Sequence, residues 1–313
     1  MRIDCLIEAI ERTGNPTALG LDTRVEFLPP SLAGFPTGRS VGSVRDEGDA
    51  EAVCSSMYAF NCALIDALAD IVPCVKAQVA CYEMLGVPGV RLFRDTLLYA
   101  RQKCMITIAD VKRNDIGITS GAYAAAYLEE NSPLSADFIT VNPYLGTDGM
   151  APFLDACGKN GSGIFVLVRT SNPSAGEFQD LIVQDGEGKG RPLYEHVGQK
   201  VAEWGGNLTG RHGYSSVGAV VGATCPEEGK KLRALLPGTF FLVPGYGAQG
   251  ATAQDLVGCF DGQGRGAVVN ASRSLLCAYK KRNTDDFISA ARDEALHMRE
   301  ELRAAIKNRH GVS

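Results

Sequence analysis

The amino-acid sequence predicts a (β/α)8 barrel that occupies residues 1–313 as a single domain. Eight short apolar runs recur along the chain, and the segments between them have the three- and four-residue spacing of amphipathic helices. Several runs are apolar at consecutive positions, as in 164–168 and 217–221, which is typical of parallel strands covered on both faces. Eight strand–helix units in one chain favour a closed barrel over an open doubly wound sheet.

The first predicted element is a helix over residues 1–14, which we expect to cap the barrel. Acidic residues interrupt its apolar side, so it does not read as a secretory signal, and we expect a cytoplasmic protein. The predicted strands follow in this order: Thr17–Asp22, Val72–Val79, Cys104–Asp110, Asp137–Asn142, Gly163–Thr170, Val217–Ala223, Thr239–Val243 and Gly266–Asn270. The predicted helices between and after them cover residues 51–71, 87–102, 118–130, 147–159, 192–204, 226–236, 251–260 and about 285–307.

Two segments do not fit the repeat, residues 23–50 and 171–191. Both are rich in Gly, Pro, Ser and acidic residues, and both follow predicted strand ends, so we expect long loops at the active-site face. Within the first, residues 37–50 are interpreted as a solvated insertion. The second is interpreted as functional, because it leaves a strand at the end where barrel active sites are built.

The charge and the cysteine pattern exclude several classes of partner. Lys and Arg number 31 against 36 Asp and Glu, a net charge of −5, which argues against nucleic acid or an anionic membrane as the main partner. No apolar run approaches the roughly 20 residues of a membrane helix. The ten cysteines include no C-x-x-C pair. The histidines are scattered, so we expect neither a metal site nor a histidine-based triad: His196, His212, His297 and His310.

Charged residues stand at the ends of the first three predicted strands, where barrel enzymes carry their chemistry. They are Asp22, Lys76, Asp110, Lys112 and, on the following loop, Asp115. Any one of them alone is explained by a core salt bridge or a capping acid. Together they indicate a site, because Asp110 and Lys112 share one face of a strand. An alternating array of this kind suits a protonated lysine that acts as a general acid rather than a Schiff-base nucleophile.

A second candidate site follows the seventh predicted strand, where Gly245–Gly250 matches G-x-G-x-x-G. A dinucleotide site also needs an acidic residue about 20 residues further on. The next strand instead ends in Arg273, which offers a cation. Loops after strands seven and eight of a barrel commonly bind phosphate, so the pattern favours phosphate over NAD, with Gln249 and Arg273 as side-chain contacts.

The run Ile108–Gly117, with the letters IADVKRNDIG, resembles the D-x-K-x-x-D signature of the orotidine 5′-phosphate decarboxylase family, particularly its longer bacterial (type 2) branch. A whole superfamily shares this signature. Its combination with Lys76 and the phosphate loop is specific to the orotidine 5′-phosphate decarboxylases. The chain departs from the family at Asn114, where glycine is common, and at Ala77, where the longer branch often has proline. The resemblance covers nearly the whole chain, including Leu19–Asp22, Val75–Glu83, Thr140–Gly146, Val168–Pro173, Val243–Gly250 and Ala267–Arg273.

The resemblance implies decarboxylation of orotidine 5′-phosphate to UMP without a metal or cofactor, as the last step of de novo pyrimidine biosynthesis. Lys112 is implied to protonate the C6 carbanion as CO2 leaves, with Asp110 near the substrate carboxylate. Asp22 and Lys76 are implied to bind the ribose and to complete the charge array.

The remaining contacts implied by the resemblance bring in a second subunit. Asp115 and Thr119 are implied to reach the ribose in the neighbouring subunit's site, which implies a homodimer. Ser171 is implied to contact the base. The phosphate is implied to lie against Pro244, Gln249 and Arg273.

Two other functions fit parts of the pattern. A magnesium-dependent 3-keto-L-gulonate 6-phosphate decarboxylase shares D-x-K-x-x-D but uses a carboxylate on strand two to hold its metal. Lys76 stands at that point, which disfavours a metal. A catalytically silent barrel that binds a nucleotide is the other alternative, and the complete set of Asp110, Lys112 and Asp115 argues against it.

Overall fold

The structure is a computed structural model, and it describes residues 1–32, 44, 46–184, 188, 190–247 and 250–310. Eight strands, each parallel to its neighbours, form a closed barrel, which confirms the predicted (β/α)8 fold. In order around the barrel they are β1 (Thr17–Leu21), β2 (Cys74–Gln78), β3 (Ile106–Arg113), β4 (Phe138–Val141), β5 (Gly163–Arg169), β8 (Ser215–Val221), β9 (Thr239–Pro244) and β10 (Ala267–Ala271). A separate antiparallel hairpin consists of β6 (Ile182–Gln184) and β7 (Gly190–Pro192).

Helices connect the strands and cover the barrel wall. The long ones are α1 (Arg2–Thr13), α2 (Glu47–Leu68), α4 (Gly86–Gln102), α5 (Gly117–Leu128), α6 (Gly146–Asn160), α8 (Leu193–Gly205), α9 (Pro226–Leu235) and α13 (Phe287–His310). Single turns form α3 (Ala80–Glu83), α7 (Gly176–Gln179), α10 (Ala253–Leu256), α11 (Arg273–Leu276) and α12 (Ala278–Lys281). Across the part of the chain that the structure describes, every helix is too short or too polar to cross a membrane.

The predicted helix over residues 251–260 is shorter in the structure and changes from an α-helical to a 3-10 turn within it. The segment contains only α10 and a 3-10 turn over Val257–Cys259. Gly258 passes close to the start of α9, where an added Cβ would lie 3.3 Å from the Pro226 carbonyl oxygen. The absence of a side chain at Gly258 eases this close approach of the 3-10 turn to α9.

The interpretation of residues 37–50 as a solvated insertion was wrong for its last four residues, which belong to α2. The Asp46 side chain caps this helix by accepting a hydrogen bond from the Asp49 amide at 2.9 Å. Glu47 and Asp49 lie in the first turn, where negative charge favours a helix. Residues 37–43 and 45 lie outside the described residues.

Helix α1 closes the end of the barrel at which the strands begin, as expected of a capping helix. Its buried side chains Ile3, Leu6 and Ile7 pack in one cluster with the interior residues of the barrel. Arg2 Nε lies 3.0 Å from Asp137 Oδ1 at the start of β4. Because this end is filled, a ligand can enter the barrel only from the carboxyl ends of the strands.

Candidate active site

A cavity of about 670 Å³ opens at the carboxyl ends of the barrel strands. Residues from the ends of β1, β2, β3, β5, β9 and β10 contribute to its wall. Its charged and hydroxyl-bearing or amide-bearing lining residues include Asp22, Arg24, Lys76, Gln78, Asp110, Lys112, Thr140, Thr170, Ser171, Asn172, Gln179, Asn270, Ser272 and Arg273.

Asp22, Lys76, Asp110 and Lys112 form a continuous chain of ion pairs, which we call the charge network. Lys76 Nζ lies 3.0 Å from both Asp22 Oδ1 and Asp110 Oδ2. Lys112 Nζ lies 2.5 Å from the other oxygen of Asp110. The four charges that were predicted to meet at the strand ends therefore do meet, in the alternating order that the sequence indicated.

The two lysines of the network differ in exposure. The Lys76 side chain is only 4% exposed and is held by two carboxylates. The Lys112 side chain is 44% exposed and has one carboxylate contact. Of the two ammonium groups, that of Lys112 is therefore the more accessible to a molecule in the cavity.

An irregularity in β3 sets the direction of Lys112. The register with β4 shifts between Ala109 and Arg113, and Lys112 has a φ of 45°, a left-handed conformation that costs a non-glycine residue about 1–3 kcal/mol. Thr140 on β4 holds this shape. Its Oγ1 accepts from the Lys112 amide at 2.9 Å and donates to Asp110 Oδ1 at 2.8 Å.

The buried charges of the network shift one another's protonation. Burial alone would raise the pKa of Asp110, but the adjacent Lys76 and Lys112 outweigh burial and hold that pKa well below its ordinary value. Burial would lower the pKa of Lys76, yet the charges of Asp110 and Asp22 outweigh it and raise that pKa. Both residues are therefore charged at neutral pH.

The corner between β1 and β10 fixes Asp22. Ser272 Oγ donates to Asp22 Oδ2 at 2.8 Å, and Asn270 Nδ2 donates to Ser272 Oγ at 3.1 Å. These side chains lie across Gly20, where an added Cβ would be 2.0 Å from Ser272 Oγ. Glycine at position 20 is thus what allows the β10 side chains to reach Asp22.

The structure separates the other predicted site residues into three groups. Ser171, Pro244 and Arg273 line the same cavity as the charge network. Asp115 and Thr119 are absent from that lining; Asp115 Oδ1 accepts from the Ile116 amide at 2.8 Å, and Thr119 is exposed on α5. Gln249 lies outside the described residues.

Sequence reasoning missed three polar residues that hold the network. Gln78 Nε2 donates to Asp110 Oδ2 at 3.1 Å, and the other two are Thr140 and Ser272. All three are uncharged, so a search for charges at strand ends passed over them. The two-residue spacing of Gln78 from Lys76 on β2 was the available signal, because it places both side chains on one face.

The described residues contain no group of three His, Cys, Asp or Glu side chains that could hold a metal ion. Lys76, Lys112, Arg24 and Arg273 all line the cavity, against two lining carboxylates, Asp22 and Asp110. The described lining is therefore suited to an anionic small molecule.

The fold and this site define a barrel enzyme that binds an anion beside paired lysines and aspartates. The model of the orotidine 5′-phosphate decarboxylase / HUMPS family matches residues 56–284, and the chain belongs to this family. An orotidine 5′-phosphate decarboxylase from Clostridium perfringens is 41% identical over 307 residues, covering 98% of this chain and 99% of the relative. One from Rhodopirellula baltica is 43% identical over 301 residues, with 95% and 93% covered.

The solved structures agree with the sequence relatives. A crystal structure from Streptomyces avermitilis, assigned to orotidine 5′-phosphate decarboxylase, has a TM-score of 0.77 and 32% identity. It covers 97% of this chain and 95% of its own. The resemblance stated from the sequence is therefore confirmed over nearly the full chain.

Proposed function

We propose that the protein decarboxylates orotidine 5′-phosphate to UMP in pyrimidine biosynthesis and that Lys112 delivers the proton. The observation that carries this proposal is the charge network, in which Lys112 is the lysine that combines an ion pair with substantial exposure beside the cavity. Membership of the family and the printed names of relatives at about 40% identity support the substrate.

The proposed chemical step uses two groups of the network. The bond between C6 and the carboxylate breaks, and CO2 leaves from a position beside Asp110. The electron pair that remains on C6 takes a proton from Lys112 Nζ, and water then returns a proton to the amine. Because the lysine and the carboxylates are already fixed by one another, little reorganisation is needed as charge develops at C6.

The rest of the cavity accommodates the other parts of the nucleotide. Asp22 and Lys76 are assigned to the ribose hydroxyls, and Ser171 on the β5 side is assigned to the base. Arg273 at the end of β10 is assigned to the phosphate, together with Pro244 and Gln249. Binding energy gained at the phosphate can then be used at the distant C6 atom.

The test of the proposed reaction is conversion of orotidine 5′-phosphate to UMP by the purified protein in EDTA, followed by absorbance. Metal-independent turnover is the expected result. Absence of turnover by folded protein would contradict it. Activity on 3-keto-L-gulonate 6-phosphate with added magnesium would then identify the sugar-phosphate reaction, and UMP binding without any turnover would identify a silent nucleotide-binding barrel.

Replacing Arg273 with alanine is expected to raise KM for orotidine 5′-phosphate by about 10²-fold, the scale of one lost charge-assisted phosphate contact. Activity on orotidine, which lacks the phosphate, should be unchanged because the variant removes only the phosphate contact. Steady-state kinetics on both substrates make the comparison. Equal kinetics of variant and wild type on the phosphorylated substrate would show that the phosphate binds elsewhere.

We also propose a homodimer in which Asp115 and Thr119 complete the partner's site. The apolar side chains next to them in the sequence support this assignment, since Ile116 is 59% and Ile118 95% exposed. Apolar side chains grouped in this way are typical of an interaction surface. One domain over residues 1–313 and a cytoplasmic location remain predictions from the sequence.

The shared site predicts complementation between two inactive variants, Lys112→Ala and Asp115→Ala. In a mixed dimer one site has both defects and the other has neither. Random mixing makes half of the dimers mixed, so refolding an equal mixture should restore about one quarter of wild-type activity. No recovery, with mixed dimers demonstrated by tagged subunits, would contradict the shared site.

A further inference from the structure

Side-chain hydrogen bonds connect the two ends of the segment that follows β5. Thr170, Ser171 and Asn172 line the cavity, and so does Gln179, which lies at the end of α7. The amide of Gln179 joins the two ends of this segment. Its Oε1 accepts from the Thr170 amide at 2.9 Å, and its Nε2 donates to Thr170 Oγ1 at 2.7 Å.

Thr170 extends these hydrogen bonds to Asn172. Its Oγ1 donates to Asn172 Oδ1 at 2.6 Å. Ser171, between them, packs closely on β8, because an added Cβ at Gly222 would lie 2.9 Å from the Ser171 backbone nitrogen. Thr170, Ser171 and Asn172 form this part of the cavity lining, and we call them the wall. The shape of the wall is therefore set by Gln179 on one side and by Gly222 on the other.

Arg169, the last residue of β5, holds Gln179 from behind. Its side chain is 9% exposed and does not line the cavity. Nη1 lies 3.0 Å from Asp180 Oδ1 and 3.4 Å from Gln179 Oε1, and Nη2 lies 3.7 Å from Glu228 Oε1 on α9. The guanidinium also lies over the Tyr194 ring, 5.4 Å from its centroid.

The position of the wall identifies the part of a nucleotide that it meets. Arg273, assigned to the phosphate, follows β10, and the wall follows β5, with β8 and β9 between them around the barrel. The wall therefore lies away from the phosphate end of the cavity, at the base end. Its side chains supply both hydrogen-bond donors and acceptors, which suits the edge of a pyrimidine.

We propose that Arg169 and Gln179 are positioning residues that fix Thr170, Ser171 and Asn172 against the base of a bound nucleotide. This inference rests on the proposed function for the identity of the nucleotide. Arg169 is absent from the described lining of the cavity, so its side chain acts on the wall through the residues that it contacts, Gln179 and Asp180. The pair accordingly determines affinity for the base and leaves the phosphate contact untouched.

The test compares binding of UMP with binding of ribose 5-phosphate, which lacks the base, by calorimetry. Gln179→Ala is expected to weaken UMP binding about tenfold, the scale of one or two lost hydrogen bonds, with ribose 5-phosphate affinity unchanged. Arg169→Lys should shift UMP in the same direction, because it keeps the buried charge but one ammonium cannot replace the planar fork. Glu177→Ala, an exposed change on the same turn, is the matched control and should match wild type.

Unchanged UMP affinity in Gln179→Ala, or equal losses for both ligands, would overturn the positioning role. Hydrogen exchange of the unliganded protein tests the hydrogen bonds between Gln179 and Thr170 directly. The Thr170 amide should exchange faster in Gln179→Ala than in wild type or Glu177→Ala, and an equal rate would overturn the proposal. Failure of wild type to decarboxylate orotidine 5′-phosphate would instead overturn the proposed function. The exchange result would still show whether Gln179 holds Thr170 in place.

Discussion

Replacing Lys112 with alanine is expected to lower turnover of orotidine 5′-phosphate by at least about 10⁴-fold, since the change removes both the proton donor and a positive charge beside C6. The fold should survive, because the Lys112 side chain is 44% exposed and its loss leaves Asp110 paired with Lys76. Turnover is measured by absorbance at saturating substrate, and folding by circular dichroism and thermal unfolding.

Lys230→Ala is the matched control for Lys112→Ala, because Lys230 is an exposed lysine on α9, away from the cavity. It should retain wild-type turnover. Substantial turnover in folded Lys112→Ala protein would contradict the assignment of the proton donor. Loss of turnover through unfolding would appear in the thermal transition, so the two causes are distinguishable.

Replacing Asp110 with asparagine is expected to lower the free energy of unfolding by about 3 kcal/mol at pH 7, the lower end of the cost of breaking a buried ion pair. The variant leaves Lys76 nearly fully buried with Asp22 as its remaining carboxylate partner. Because a catalytic carboxylate is also removed, turnover should be lost as well. Urea unfolding monitored by circular dichroism measures the stability.

The difference between wild type and Asp110→Asn should depend on pH in a defined direction. Lys76 and Lys112 hold the pKa of Asp110 below its ordinary 3.8, so the carboxylate contributes stability above 3.8 that is lost as pH falls through the folded value. The stability difference should therefore be constant between about pH 5 and 8 and shrink in more acidic solution. A difference that grows on acidification would contradict the origin proposed for the shift.

Asp115→Asn is the comparison variant for Asp110→Asn, because it also changes a carboxylate of the proposed site but one that lies outside the charge network. Asp115 is partly exposed, and its carboxylate accepts a hydrogen bond from the neighbouring Ile116 amide. Its substitution should change stability by less than about 1 kcal/mol. Equal destabilisation by the two variants would show that the loss of stability in Asp110→Asn is not specific to the charge network.

The barrel could be predicted because its strands are buried on both faces. Consecutive apolar residues such as Ile164–Val168 are unusual except in covered parallel strands, and each predicted strand overlaps one in the structure. The short elements could not be predicted, because they are exposed rather than buried. The β6–β7 hairpin has three residues a strand, with Ile182 65% exposed, so no apolar pattern marks it.

The candidate site could be predicted where charge made it visible. Strand periodicity placed Asp110 and Lys112 together, and the neighbouring strands brought Asp22 and Lys76 to them. Neutral supports such as Thr140 were invisible, because a threonine on a strand is ordinary. The left-handed backbone of Lys112 also has no sequence signal, since it results from the shifted register between β3 and β4.

In the proposed reaction, Lys112 protonates C6 of the substrate as CO2 leaves. The most direct measurement is the reaction in D2O, with the product analysed by NMR. Because ammonium protons exchange with solvent, wild type should give UMP with deuterium at C6 as fast as it releases CO2, and Lys112→Ala should give neither product. Hydrogen at C6 of the wild-type product, or equally fast labelling by Lys112→Ala, would contradict the claim.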